Sequence, residues 1–84
     1  QLLVGGHFDW VPLRGTNQRP TRHRFAVLNL DGYLQSDWVP DFHGTIHTGV
    51  WDILVTGSQI WVGGGYTTVS GDRRWCLARF TDTP

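Results

Sequence analysis

The sequence predicts an all-β fold, and three features of its composition support this class. Lys, Glu and Met are absent and alanine occurs only twice, so most residues that favour helices are missing or scarce. Val, Ile, Thr and aromatic residues are plentiful, and these residues favour strands. Eleven glycines and seven aspartates supply the turns that many short strands require.

Length, charge and cysteine content limit what the chain can be. With 84 residues it forms at most one small domain, which buries a smaller share of its surface than a larger domain does. Its single cysteine, Cys76, allows no disulfide within the chain. Seven arginines balance seven aspartates, and this zero net charge argues against nucleic acid as a general partner. The sequence has no run of 18 apolar residues, so we expect no membrane insertion through a helix.

An internal repeat organises the chain. Residues 3–11 match residues 61–69 at an offset of 58 (62 − 4), and residues 25–28 match residues 77–80 at an offset of 52 (78 − 26). The first copy therefore has six extra residues (58 − 52), around residues 13–21. An insertion between two matching strands belongs in a surface loop.

In the first copy, the pattern predicts three strands. The chain opens in a strand over residues 1–4, which a pair of glycines ends because glycine tolerates conformations that other residues avoid. A second strand is expected at residues 24–30, closed by the turn residues Asp31 and Gly32. A short outer strand follows at residues 33–38.

In the second copy, a hairpin is expected in which residues 50–55 and 59–63 pair across the turn 56–58. A last strand is expected at residues 75–80. Alternation puts Trp51, Ile53 and Val55 on one face of the first hairpin strand and Val50, Asp52 and Leu54 on the other. Because both faces are mostly apolar, the pattern fits antiparallel sheets stacked on both sides, as the blades of a β-propeller are.

The order of these features resembles the delta-60 repeat. The shared features are Val-Gly-Gly-x-Phe/Tyr, a loop ending in Arg, a strand of the type Leu-Ala-Arg-Phe, and Asp-Gly-x-Leu. They lie at residues 4–8, 25–34, 62–66 and 74–80. Two departures are the residues at the variable positions, His7 and Gly65, and a loop over residues 13–21 that is longer than usual.

The resemblance implies an architecture, since delta-60 repeats build bacterial β-propellers with about one four-stranded blade per unit. Residues 1–84 would then be a single propeller segment made of two adjacent partial blades, residues 1–40 and residues 41–84. The remaining blades would come from a longer chain or from identical chains that assemble into a ring.

Catalytic residues are not expected. No serine lies in a Gly-x-Ser-x-Gly elbow, and Cys76 lies within a predicted strand, where we expect a buried and inert thiol. Most aspartates adjoin turn residues, which accounts for them without catalysis. We therefore expect a protein that is not an enzyme.

Metal and cofactor sites are not expected either. His43 and His47 are spaced i, i+4, but metal ligation needs a third ligand that the sequence does not indicate. Asp37 and Asp41 could bind calcium together with backbone carbonyls, but they lack the spacing of an EF-hand.

The ligand-binding candidates are Trp10, Arg22, Arg24 and Trp38. Trp10 and Trp38 lie at strand ends, where an aromatic ring can stack on a sugar. Arg22 and Arg24 belong to the one cluster of charge, and guanidinium groups bind phosphates, acidic sugars or carboxylates through paired hydrogen bonds. The other interpretation is that these arginines pair with nearby aspartates. The remaining tryptophans, Trp51, Trp61 and Trp75, are expected to pack between blades.

These observations favour a non-enzymatic binding or structural module. The resemblance implies an extracellular or surface protein of a bacterium, or a component of a phage particle. The alternative is a carbohydrate-binding module whose chains assemble as a multivalent, lectin-like ring. The expected partners are the remaining blades or identical chains, and a glycan or a protein.

Overall fold

The computed structural model describes residues 1–34, 38–45 and 47–81. Within these residues it has eight strands and no helix, so the predicted all-β class is confirmed. The strands are β1 (Leu2–Gly5), β2 (Phe25–Leu28), β3 (Phe42–His43), β4 (Gly49–Thr56), β5 (Gln59–Gly65), β6 (Thr68–Val69), β7 (Asp72–Arg73) and β8 (Leu77–Thr81). None of the described residues form a helix long and apolar enough to cross a membrane.

The described strands form three open sheets, and every pairing within them is antiparallel. Their strand orders are β1–β2, β3–β6–β7 and β4–β5–β8. The sheet β4–β5–β8 contains the predicted hairpin, and β8 pairs with β5. The strands β3, β6 and β7 have only two residues each, too few to show the alternation that predicts a strand.

The second predicted strand is shorter than expected, because Arg24 has a φ of 70° and β2 begins only at Phe25. The turn after it is confirmed. Gly32 has a φ of 88°, and the side-chain oxygen of Asn29 accepts hydrogen bonds from the backbone N–H groups of Asp31 and Tyr33, each at 3.0 Å. Of the expected outer strand, Leu34 forms one antiparallel bridge with Leu28, and positions 35–37 lie outside the described residues.

Two strand pairs of the structure share one register. Leu3 pairs with Val27 in β1–β2, and Trp61 pairs with Arg79 in β5–β8. The strand residues differ by the sequence offsets already noted, 58 (61 − 3) and 52 (79 − 27). The same offsets convert all four pairs of β1–β2 into pairs of β5–β8.

The correspondence continues beyond the strands. The N–H of Gly6 donates to the carbonyl of Arg24, and the N–H of Gly64 donates to that of Cys76, both at 3.1 Å. Arg24 and Cys76 both have left-handed backbones, with φ of 70° and 65°. The two matching segments therefore follow the same backbone path from strand through bend into loop.

The core lies where β1–β2 packs against one face of β4–β5–β8. Its buried side chains are Phe25, Val27, Phe42, Val50, Ile60, Val62, Tyr66, Val69 and Ala78, and partly buried Leu3, Trp38, Ile53 and Phe80 pack against them. At the contact between the sheets, the N–H of Val50 donates to the carbonyl of Gly6 at 3.0 Å. Full burial of each large apolar side chain contributes roughly 1.5–3 kcal/mol.

The expected alternation along residues 50–55 is wrong at its start. The pairing of β4 with β5 shifts between Val50 and Asp52, as in a β-bulge, so Trp51 is the extra residue. As a result Val50 is buried and lies in the core with Ile53, whereas Trp51 is 58% exposed. Trp75 is also exposed, at 68%, so neither ring is packed between the sheets described.

The other face of β4–β5–β8, which we call the outer face, is open. Leu54 and Leu77 are 58% and 55% exposed, and the Arg79 guanidinium lies 5.5 Å from the centre of the half-buried Trp61 ring. A shallow cleft of about 260 Å³ runs across this face. Its lining consists of Asp52, Leu54, Trp61, Gly63 and Leu77. The sheet is therefore mostly apolar on both faces, as the sequence predicts, with Asp52 and Arg79 as charged residues on the outer face.

Candidate functional site

Polar side chains collect where the loop between β1 and β2 meets β3. Within this loop, the N–H of Arg24 donates to the carbonyl of Phe8 at 2.9 Å, and the N–H of Arg22 donates to that of Asp9 at 3.0 Å. These bonds hold Asp9 opposite His23. The N–H of Phe42 donates to the carbonyl of His23 at 3.3 Å, which joins β3 to the same loop.

Three of these side chains, His23, Asp41 and His43, form what we call the histidine cluster. Nε2 of His43 lies 3.0 Å from Oδ2 of Asp41, and Nε2 of His23 lies 3.8 Å from Oδ1 of the same carboxylate. The two imidazole rings are 4.5 Å apart between centres. The three side chains offer one ligand atom each within 4.8 Å of one another.

Asp9 and Arg24 flank the histidine cluster. Nη1 of Arg24 lies 2.8 Å from Oδ1 of Asp9 and 2.9 Å from Nδ1 of His23. Because a guanidinium group only donates, Nδ1 of His23 accepts this hydrogen bond and the proton of the neutral ring lies on Nε2, towards Asp41. Nδ1 also lies 3.5 Å from Oδ1 of Asp9.

Of the predicted arginines, Arg24 pairs with an aspartate, and Arg22 donates from Nη1 to the carbonyl of Thr21 at 2.7 Å. The Nε atoms of both arginines are buried and have no hydrogen-bond partner among the described residues. The structure therefore engages both guanidinium groups in contacts within the chain.

Trp10 lies in a separate cleft formed by the long loop. Its ring is 45% exposed, and the Arg19 guanidinium lies 4.6 Å from the ring centre. The cleft has a volume of about 310 Å³. Its lining consists of Trp10, Pro12, Thr16, Asn17, Gln18 and Arg19. The arrangement combines one aromatic face with amide, hydroxyl and guanidinium groups that hydrogen-bond to polar ligands.

Trp38 is partly buried and packs against the core. Its ring packs edge-on against Phe25 and Phe80, with centres 5.5 Å and 5.2 Å apart. These two contacts account for the position of Trp38 through packing. The predicted site residues therefore have different surroundings, and Trp10 lines a cleft within the part of the chain that the structure describes.

Sequence reasoning missed the histidine cluster. It considered His43 together with His47, and Asp41 together with Asp37. His47 has a φ of 51° and is not part of the cluster, while position 37 lies outside the described residues. The missing third ligand is His23, which precedes β2 and reaches Asp41 only through the tertiary fold. No spacing rule connects residues 23 and 43, so the sequence offered no signal.

The expectation of a buried Cys76 is also wrong. Its thiol is exposed and the residue precedes β8, because the left-handed backbone at Cys76 interrupts the predicted strand. The matching residue of the first copy, Arg24, has the same conformation.

The fold and these contacts define an antiparallel all-β protein with a polar cluster at one end of its core. No protein-family model matches the sequence, and no curated protein or solved structure is significantly similar to the chain.

Proposed function

We propose that this chain is a segment of a β-propeller that serves as a non-catalytic structural and binding module. The observation that carries the proposal is the register shared by β1–β2 and β5–β8. Two segments with the same pairing, the same bend and similar sequence are what a repeat of one blade-forming unit produces.

The shared register also relates the faces of the two sheets. Leu3, Phe25 and Val27 of β1–β2 pack into the core against β4–β5–β8. Shifted by the two offsets, these residues correspond to Trp61, Leu77 and Arg79, which line the outer face. The outer face therefore carries the counterparts of the residues through which the first copy contacts the second.

This correspondence supports a proposal for what covers the outer face. The occupant is a further sheet of the same kind. The second copy contacts the first through Val50, Ile60 and Val62, and the further sheet would contact the outer face through the equivalent residues. Sheets that stack face to face in this way, each rotated on the last, build a propeller. The next sheet comes from the same polypeptide or from another copy of it. The resemblance to the delta-60 repeat favours an extracellular, cell-surface or phage-particle setting.

Sedimentation of the chain tests this proposal. We expect the 84-residue chain to associate head to tail, with the outer face of one chain against the β1–β2 end of the next. These two surfaces are complementary and not identical, so the contact is heterologous. The variant Leu77→Asp places a charge on the outer face and should weaken association at least about tenfold. Leu77 is 55% exposed, so the variant should keep the β-sheet circular dichroism of the original chain.

The matched control is Leu30→Asp, which makes the same change at a turn residue that is 86% exposed. This variant should associate as the original chain does. A chain that stays monomeric at every concentration would contradict the stacking proposal. Equal association of the Leu77→Asp variant would contradict the assignment of the outer face.

A second candidate function, glycan binding, is favoured by the cleft at Trp10. Sugars present apolar faces that stack on aromatic rings and hydroxyl groups that bond to amide and guanidinium groups. Trp10 supplies the ring, and Asn17, Gln18 and Arg19 supply the polar groups. A ring of such chains would present several clefts, which raises avidity for a multivalent glycan.

A glycan array tests the second candidate. The chain should retain at least one oligosaccharide class, and Trp10→Ala should abolish the retention because it removes the stacking surface. Trp75→Ala is the control, since Trp75 is 68% exposed but does not line the cleft. Failure to retain any glycan, or equal loss in both variants, would exclude binding at Trp10.

A further inference from the structure

We propose that the histidine cluster is a zinc site in which His23, Asp41 and His43 supply three protein ligands. Two imidazole nitrogens and a carboxylate oxygen are a donor set that Zn²⁺ takes in proteins. Ca²⁺ instead takes six to eight oxygen ligands, and two of the three donors here are nitrogens.

The distances between the ligand atoms of the histidine cluster are close to those around a bound zinc ion. Tetrahedral zinc, with bonds of about 2.0–2.1 Å, holds neighbouring ligand atoms about 3.4 Å apart. Two nitrogen–oxygen distances in the cluster lie on either side of this value: 3.0 Å from Nε2 of His43 to Oδ2 of Asp41, and 3.8 Å from Nε2 of His23 to Oδ1, the other oxygen of that carboxylate. One ligand atom from each of the three residues lies within 4.8 Å of the others, so small side-chain rotations suffice to bring all three into range.

Asp9 completes the arrangement behind His23. Zinc-binding histidines commonly donate their second ring N–H to a carboxylate, which orients the ring and raises its basicity. Nδ1 of His23 lies 3.5 Å from Oδ1 of Asp9, so the Asp9 carboxylate is positioned to act as this acceptor. When Nε2 binds zinc, the ring proton moves to Nδ1. Nδ1 then donates to Asp9 and no longer accepts the hydrogen bond from Arg24, whose guanidinium keeps its 2.8 Å contact with the Asp9 carboxylate.

Charge and exposure also suit a divalent cation. With both imidazoles neutral, the carboxylates of Asp9 and Asp41 and the guanidinium of Arg24 leave a local charge of −1 (−2 + 1). The side chains of His23, Asp41 and His43 are 28%, 42% and 50% exposed, so an ion can enter from solvent. Three protein ligands leave the fourth position to water or to a polar group of a partner.

The ion would add a second link between two parts of the chain that the hydrogen bond from Phe42 to His23 already joins. His23 belongs to the loop before β2, whereas Asp41 and His43 belong to β3 and its approach. Small domains commonly gain stability from a bound metal, because the ion binds the folded chain and not the unfolded one.

Calorimetric titration of the metal-free chain with ZnCl₂ tests the proposal. We expect one zinc ion per chain, a higher Tm with zinc than without it, and a visible absorption band when Co²⁺ replaces Zn²⁺. His23→Ala and His43→Ala should each weaken zinc binding by more than about 100-fold, since they remove ligands. Asp9→Asn should weaken it by about 10–100-fold, the usual effect of losing the carboxylate behind a metal-binding histidine.

The matched control is His47→Asn, which removes a histidine outside the cluster and suits the left-handed backbone at that position. Its zinc affinity should equal that of the original chain. An imidazole ¹⁵N spectrum of the unmodified chain decides the matter even where a variant fails to fold. Zinc should shift the signals of His23 and His43 and leave those of His7 and His47 in place. Absence of zinc uptake, unshifted signals from His23 and His43, or an equal loss in His47→Asn would overturn the proposal.

Discussion

At the scale of single residues, Tyr66 shows how burial changes chemistry. It is 1% exposed, and its hydroxyl donates a hydrogen bond to the backbone carbonyl of Val62. Burial, and after it the coulombic effect of the nearby Cys76, raises the pKa of Tyr66 to about 12. The folded state therefore keeps the phenolic proton at a pH where the unfolded chain, with a pKa of about 10, has lost it.

The raised pKa predicts how stability changes in alkali. The contribution of Tyr66 is fully present below about pH 10 and is lost as pH rises towards about 12, where the loss totals roughly 2–3 kcal/mol. Urea unfolding should show about 1.4 kcal/mol of this loss by pH 11. Tyr66→Phe should lose this part of the pH dependence, at a cost near neutral pH of about 1 kcal/mol for the missing hydrogen bond.

Tyr33→Phe is the control for this measurement, since its ring is 48% exposed and lies outside the core. The stability of this variant should depend on pH as that of the original chain does. If Tyr66→Phe and the original chain lose stability equally between pH 8 and pH 11, the buried phenol does not account for the alkaline loss.

Residues also differ in how far the sequence predicts their surroundings. Trp10 could be predicted as an accessible ring because it adjoins the insertion around residues 13–21, which belongs in a surface loop. Trp38 was likewise expected at a strand end but packs against Phe25 and Phe80, which tertiary contacts alone decide. The histidine cluster combines side chains from two elements, so no local pattern contains it.

At the scale of elements, the strands that alternation predicts are those with a full apolar face. β4, β5 and β8 are long enough to show the pattern, and the structure pairs them in one sheet. The strands β3, β6 and β7 have two residues each and show no such pattern. They form only through backbone pairing in the folded chain. The bulge at Trp51 was equally hidden, because an extra residue in a strand is defined by its partner strand.

The bend that follows β1 and β5 could be predicted from its glycines. The left-handed backbone conformation of the residues that bond to this bend, Arg24 and Cys76, could not. Arg24 and Cys76 are unrelated side chains, yet both take φ near 65–70°. Such a conformation disfavours residues that carry a Cβ, so the surrounding backbone bonds must maintain it. The N–H and carbonyl groups of these two residues make the same pair of bonds in both copies. The repeat therefore specifies a backbone path more strongly than it specifies side chains.

At the scale of the whole molecule, a pair of equivalent glycines distinguishes a stacked sheet from an open one. Gly5 and Gly63 occupy the same place in the shared register. A Cβ on Gly5 would overlap the side chain of Val50, whose own Cβ would be 2.9 Å away. A Cβ on Gly63 would meet only the carbonyl of Cys76, at 3.8 Å, which is an ordinary contact. The difference is that β4 packs against this face of β1, whereas none of the described residues packs against the equivalent face of β5 at Gly63.

The two substitutions should therefore act on different properties of the chain. Gly5→Ala should lower the free energy of unfolding by about 1–3 kcal/mol, because the new methyl group is forced into packed side chains. Gly63→Ala should change this free energy by less than about 0.5 kcal/mol, because the site is open. If a further sheet stacks on the outer face as β1 stacks on β4, the methyl group of Gly63→Ala blocks its approach. The variant should then fold normally in urea titrations but associate more weakly in sedimentation. A variant that folds and associates like the original chain would show that the outer face does not pack as the first copy does.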